Sequence, residues 1–131
     1  MLLLDAGVWI AAKDDRDRFS EPARQLVLGT DRAAAALDLT LYEVANVVGA
    51  VWGQPDVASG LCRSVSIRCE RVISVDNGLL DASLGLAAEH GLSAYDAAYV
   101  AVARRHDWTL VSTDLRDLVS KGLAVTPDAA V

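Results

Sequence analysis

Two cysteines and two histidines are all that this 131-residue chain offers of the soft metal ligands. Cys62 and Cys69 form no metal signature. At a helical i, i+7 separation they lie about 10 Å apart, too far for a disulfide within one helix, so buried free thiols are expected. Basic residues are also scarce: 12 Lys and Arg stand against 18 Asp and Glu, a net charge of −6 at pH 7. Bulk positive charge therefore does not steer the chain toward nucleic acid. A nucleic-acid enzyme built on it needs local arginines, a metal ion or a dimeric groove. No apolar run approaches the about 18 residues of a membrane span. The N-terminal "MLLLDAGVWIAAKDD" lacks a basic flank and is interrupted by Asp5. No signal peptide or membrane contact is expected, and a cytoplasmic location is. Linkers, low-complexity tracts and internal repeats are absent as well, so residues 1–131 read as a single domain.

What the chain does have is apolar surface: 53% of its residues are hydrophobic. That supports a substantial core and leaves enough over to suggest a partner or a homodimer. Short apolar runs alternate with helical segments. Strands are expected at 2–5, 33–39, 71–75, 109–113 and 123–126. The segment 33–39 is the weakest of them, because alanine is a poor strand former. Helices are expected after Gly7, from Ser20 to about Gly29, from Thr40 to Trp52, after the break at Gly53, from about Asn77 to His90, over 94–106, and briefly from Leu115. Buried strands alternating with helices indicate an α/β fold with a mostly parallel sheet covered on both faces. In such folds ligands bind beyond the C-terminal strand ends, where helices begin.

Five carboxylates map to that edge. Asp5 ends the first strand. Glu43 lies in the first turn of the helix after the second. Asp96 opens the helix that leads into the fourth strand, Asp114 follows that strand, and Asp117 lies one turn on. Each has an ordinary alternative, since helix N-termini attract acids. "TLYE" (40–43) fits a capping box with Thr40 as N-cap, and "SAYD" (93–96) and "DLRD" (114–117) fit the same geometry. Asp5 escapes this alternative best. Two carboxylates ~5 Å apart repel by about 3 kcal/mol at an effective dielectric near 20. A domain with ~5–15 kcal/mol of stability does not keep several such pairs ionised without a cation. An all-oxygen set without Cys or His suits Mg²⁺ or Mn²⁺ rather than Zn²⁺. Such an ion suits phosphodiester hydrolysis.

The stretches "LLLDAGVWIA", "TLYEVANV", "LSAYDAAYVAVA" and "LVSTDLRDL", in this order and spacing, resemble the PIN-domain ribonucleases of the VapC toxin type over essentially the full length. The resemblance implies a PIN-like three-layer α/β fold, with a central parallel sheet of about five strands in the order 3-2-1-4-5 and helices on both faces. It implies a Mg²⁺/Mn²⁺-dependent endoribonuclease toxin of a type II toxin–antitoxin module, inhibited by a VapB-type antitoxin and forming a homodimer. It carries the catalytic acids over onto Asp5, Glu43, Asp96 and Asp114, with Asp5, Asp96 and Asp114 on the metal. Thr113 and Asp117 are supporting residues. One departure stands out. Where the family commonly has Ser, Thr or Asn two residues after the first Asp, this chain has Gly7. A PIN-fold protein-binding module with weak or no activity is therefore the alternative. A phosphotransfer domain is a third possibility, but the haloacid-dehalogenase type needs an Asp at position 7.

Other residues have two readings each. Trp9, Tyr42, Val48 and Trp52 either line a groove for an antitoxin segment or, as is commoner, belong to the core. Arg16, Arg18 and Arg24 either contact RNA phosphates or are solvated surface. His90 and His106 are expected to serve helix C-termini rather than to act as general bases. The apolar faces of 57–67 and 79–88 are core or dimer interface.

Overall fold

The computed structural model describes residues 1–131. Strand β1 spans Leu2–Leu4, β2 Ala34–Leu37, β3 Arg71–Ile73 and β4 Thr109–Val111. All pair in parallel, in the order β3-β2-β1-β4. Helices α1 (Ala6–Ala11), α2 (Ser20–Leu28), α3 (Asp38–Val44), α4 (Pro55–Arg68), α5 (Asn77–His90), α6 (Ala94–His106) and α7 (Pro127–Ala130) cover both faces. Two segments, Ala45–Val51 and Leu115–Val119, wind with wide π-helical turns.

Side chains of a strand alternate between the two faces of its sheet, and here both faces are dry. Leu2, Leu4, Ala34 and Ala36 pack on one face with α1, α2 and α4, while Leu3, Ala35 and Leu37 pack on the other with α5 and α6. That is why these strands are apolar at every position rather than at every second one. The same sandwiching explains β2. Its alanines favour strand weakly, but β2 is held on one side by β1 and on the other by β3, and Ala34, Ala35 and Ala36 are fully buried.

Three expectations need correction. The helix after β2 begins at Asp38, not Thr40. Thr40 therefore sits at the third helical position, and its hydroxyl accepts from the Leu37 amide at 3.1 Å instead of capping Glu43's turn. Asp38 takes the strand-end position, its carboxylate accepting from the amides of Leu39 and of Val75 beyond β3. The fifth strand shrinks to one parallel bridge, Val111 to Val125, because Pro127 opens α7 two residues later and a left-handed Gly122 precedes it. That bridge still continues the order beyond β4. Tyr42 is 79% exposed, so it is not core, whereas Trp9 and Val48 are fully buried. No helix is long and apolar enough to cross a membrane. The two cysteines are free, with burial pushing the Cys69 thiol up to about 11.

Candidate functional site

The C-terminal ends of β1 and β4 and the start of α6 meet α3 at one edge, and Glu43 comes from the second turn of α3, not its first as expected, because that helix begins at Asp38. Asp5 leaves β1 and directly caps α1, its Oδ1 accepting from the Val8 amide at 3.1 Å. This corrects the expectation that Asp5 is the acid least explained by capping. It is also the most buried of the set, at 7% exposed. Burial raises its pKa to about 7, against the pull of the Ser112 hydroxyl and the Val8 amide, and the charges of Glu43 and Asp96 push the same way. An N-cap bond and an expensive buried charge thus coexist on one side chain, so the cap alone does not account for it.

On α6 the division of labour is cleaner. Ser93 is the N-cap, its Oγ accepting from the Asp96 amide at 3.1 Å. The backbone bond leaves the Asp96 carboxylate open toward the neighbouring acids. Its pKa is raised first by burial and then by Asp114 and Asp117, with Ser93 and Lys121 opposing. Asp114 caps the wide turn over Leu115–Val119, accepting from the Asp117 amide at 2.9 Å, while its own amide donates to Ser112 Oγ at 3.0 Å. The turn folds Asp117 back beside Asp114. Carboxylate oxygens of Asp96, Asp114 and Asp117 all lie within 4.8 Å of one another. Glu43, half-buried on α3, accepts from the Tyr99 hydroxyl at 2.9 Å. Burial raises its pKa and Asp96 adds to that, while the Tyr99 bond lowers it.

The five acids therefore form one connected set with Asp96 as the shared member, coupled to Asp5 and Glu43 on one side and to Asp114 and Asp117 on the other. The tightest group is Asp96, Asp114 and Asp117, and Asp5 is linked to it through Asp96. Only Asp117 has an ion-pair partner, Arg116 at 3.7 Å on the surface. Uncompensated carboxylates this close favour a hard divalent cation, and the set holds no softer ligand. Asp76 does not join them; it caps α5 at β3, the edge strand.

Two contributors were not visible in the sequence. Ser112 is fully buried and holds Asp114 while touching Asp5; its only signal was its place two residues before an acid. Tyr99 was hidden in an apolar run. The Gly7 departure also finds its reason. A Cβ at position 7 would overlap Thr113 Oγ1 and come within 3.2 Å of Asp5 Oδ1. The Thr113 hydroxyl thus occupies the space that a polar side chain at 7 would fill. We expect Gly7→Ala to destabilise the wild type by about 1–3 kcal/mol through overpacking. In a Thr113→Ala background the same change becomes neutral or stabilising, because alanine is the better helix former by about 1 kcal/mol. Denaturant unfolding of the four proteins checks the change of sign.

The remaining candidates separate. Arg24 is committed to Asp15 at 3.1 Å and Ser20 at 2.9 Å, and the Arg18 guanidinium lies over the Phe19 ring. Arg16 remains exposed beside Trp52, at the rim of a polar hollow with Lys13 and Gln54. Glu43 also lines a groove of about 470 Å³, together with Leu39, Tyr42, Asn46, Val47 and Tyr95.

Residues 2–120 match the PIN domain family. A curated relative, exonuclease VapC9 of Pyrobaculum aerophilum, is 34% identical over 91 residues, covering 66% of this chain and 65% of the relative. The match thus spans just under two thirds of that protein's length. Among solved structures, a toxin–antitoxin complex from Klebsiella pneumoniae superposes with a TM-score of 0.72 at 21% identity, over 97% of this chain and 98% of the other. Mycobacterium tuberculosis VapC20, a sarcin-ricin-loop-cleaving toxin, gives a TM-score of 0.76 at 18% identity over 93% and 95%. At these identities the structures establish a shared fold.

Proposed function

The chain belongs to the PIN-domain family, and from that premise we propose that it is a Mg²⁺- or Mn²⁺-dependent endoribonuclease, the toxin of a toxin–antitoxin pair working in the cytoplasm. The observation that carries this reading is the packing of Asp96, Asp114 and Asp117 within 4.8 Å, with Asp5 and Glu43 coupled to the same Asp96. Asp5, Asp96 and Asp114 would hold the ion, with Asp117 close enough to share it. Bound there, a divalent ion would supply Lewis-acid activation of water and charge neutralisation for phosphodiester hydrolysis. Glu43 stands beside this group as an acceptor, suited to orient the attacking water and take its proton. Ser112 and the Val8 amide fix Asp5, Ser93 fixes the start of α6, and Thr113 packs beside Asp5. The chain carries no bulk positive charge, so RNA would be held at this site chiefly through the bound ion.

Similarity to VapC9, to VapC20 and to a chain of the Klebsiella toxin–antitoxin complex supports a VapB-type antitoxin as partner. Exposed Val57, Ile67, Leu80 and Leu84 leave apolar surface on α4 and α5 for that partner and for a homodimer. The binding-module alternative rested on Gly7, and Thr113 filling that space removes its motive.

The purified protein should cut a circular RNA with Mg²⁺ or Mn²⁺ and stop with EDTA. A circle has no ends, so cleavage of linear RNA alone would make the activity exonucleolytic, as the name of the Pyrobaculum relative has it. Metal binding with no cleavage of either RNA would return the binding module.

A further inference from the structure

Four groups beside the acids form an unbroken hydrogen-bond chain. The Leu37 amide donates to Thr40 Oγ1 at 3.1 Å, Thr40 Oγ1 and the Tyr99 hydroxyl are 2.7 Å apart, and the Tyr99 hydroxyl reaches Glu43 Oε1 at 2.9 Å. Leu37 and Thr40 are fully buried and Tyr99 is 1% exposed, so water does not share in the first two bonds, and only the half-buried Glu43 end of the third meets solvent. The directions follow from counting protons. An amide only donates, and an ionised carboxylate only accepts. The single Tyr99 proton therefore goes to Glu43. The Thr40 proton goes to Tyr99, the one acceptor in its reach, since its own oxygen already receives the Leu37 N–H. Reversing the chain would leave the Thr40 proton buried with no acceptor, at a cost of about 1–3 kcal/mol.

The chain joins the two helices that carry the acids. Thr40 and Glu43 are three apart on α3, and Asp96 and Tyr99 three apart on α6, so each pair shares a helix face. Glu43 has three side-chain torsions and a like charge, Asp96, pushing on it. Left alone it would swing outward into solvent. We infer that Tyr99 is a positioning residue for Glu43, holding its carboxylate toward the acidic centre, and that Thr40 orients the Tyr99 proton for this task.

The inference rests on the ribonuclease reading for its kinetic test. Tyr99→Phe keeps the ring and removes only the donor. It should lower kcat about ten- to a hundredfold, the usual cost of losing an outer hydrogen-bond partner, with KM changed less than about twofold. Thr40→Val should reproduce the defect and Thr40→Ser should restore wild-type kcat. In a Glu43→Gln background, assayed at single turnover, Tyr99→Phe should cost nothing further, because it acts through Glu43. An equal loss in both backgrounds, or full kcat in Tyr99→Phe, would overturn the role. A readout without catalysis separates this from failure of the ribonuclease reading. The shielded Tyr99 hydroxyl proton should give a downfield NMR resonance, absent in Tyr99→Phe and moved by Glu43→Gln. If wild type cuts no RNA, the ribonuclease reading fails. If that resonance is absent or indifferent to Glu43, the positioning role fails.

Discussion

Asp96→Asn should abolish RNA cleavage, by at least about a thousandfold, and yet raise the melting temperature of the metal-free protein. The two effects have one cause. Asp114 and Asp117, with carboxylates within 4.8 Å, push on Asp96, and Asp96 in turn pushes on Asp5 and Glu43. A carboxylate pair at that separation repels by about 3 kcal/mol at an effective dielectric near 20. Partial exposure screens this toward about 1 kcal/mol for each of the pairs Asp96–Asp114 and Asp96–Asp117. Against the gain stands the loss of a negative charge in the first turn of α6, about 0.3–1 kcal/mol. The cap itself survives, because the Ser93 hydroxyl oxygen still accepts from the Asp96 backbone amide, although its pull on the Asp96 carboxylate is lost. The net is a metal-free gain of up to about 1–2 kcal/mol, or about 2–8 °C in Tm. Mg²⁺ should then stabilise the wild type more than the variant. Calorimetry with and without Mg²⁺, beside the cleavage assay, checks the pair. A variant less stable than wild type without metal would mean that Asp96 serves α6 and that the acids tolerate one another unaided. Retained cleavage would remove Asp96 from the chemistry altogether.

The sheet and most helices were legible because single residues decide them. Leu2–Leu4 has no polar position and needs cover on both faces. Gly91 and Ser93 close one helix and open the next within three residues, and α5 and α6 have the bounds their sequence suggests. Asp96 stood out as a lone acid on an apolar helix whose interior, Ala97 to Ala103, is buried throughout. What stayed hidden depends on partners distant in sequence. Asp38 and Leu39 continue the apolar run of β2 and read as strand, until the Asp38 contact with the Val75 amide shows why the helix starts there. Thr40 reads as a cap by local pattern, but its hydroxyl faces Tyr99, 59 residues away. Asp117 enters the tight triad because the turn after β4 is wide, and turn width leaves no mark in residue spacing. Gly7 looked like a lost function, and only its contact with Thr113 shows the space to be taken. The location of the acids was therefore readable. Their orientation was not, since it is set by hydroxyls from other elements.

Asp5 should make the metal-free protein lose stability as pH rises from about 4 to 7, the reverse of ordinary acid denaturation. Burial lifts its folded pKa from 3.8 to about 7, so over this range the folded chain holds a proton that the unfolded chain releases. Linkage then lowers the unfolding free energy by about 1.4 kcal/mol per pH unit, and by about 4 kcal/mol at most across the window. Glu43 and Asp96 are raised as well and push in the same direction. A divalent ion needs the ionised carboxylate, so it competes with this proton. Its apparent affinity should fall about tenfold per pH unit below 7 and level off above. Saturating Mg²⁺ should therefore erase the alkaline loss in the wild type. Asp5→Asn isolates the effect, because the amide oxygen can still cap α1 through the Val8 N–H while neither charge nor proton remains. At pH 8 without metal it should be more stable than wild type by a few kcal/mol, with a flatter profile between pH 4 and 7 and little response to Mg²⁺. Urea unfolding across that range, with and without Mg²⁺, tests each arm. A wild-type stability that rises from pH 4 to 7 without metal would show Asp5 to be ionised and satisfied by its cap alone, and would remove the strongest reason to place a cation beside it.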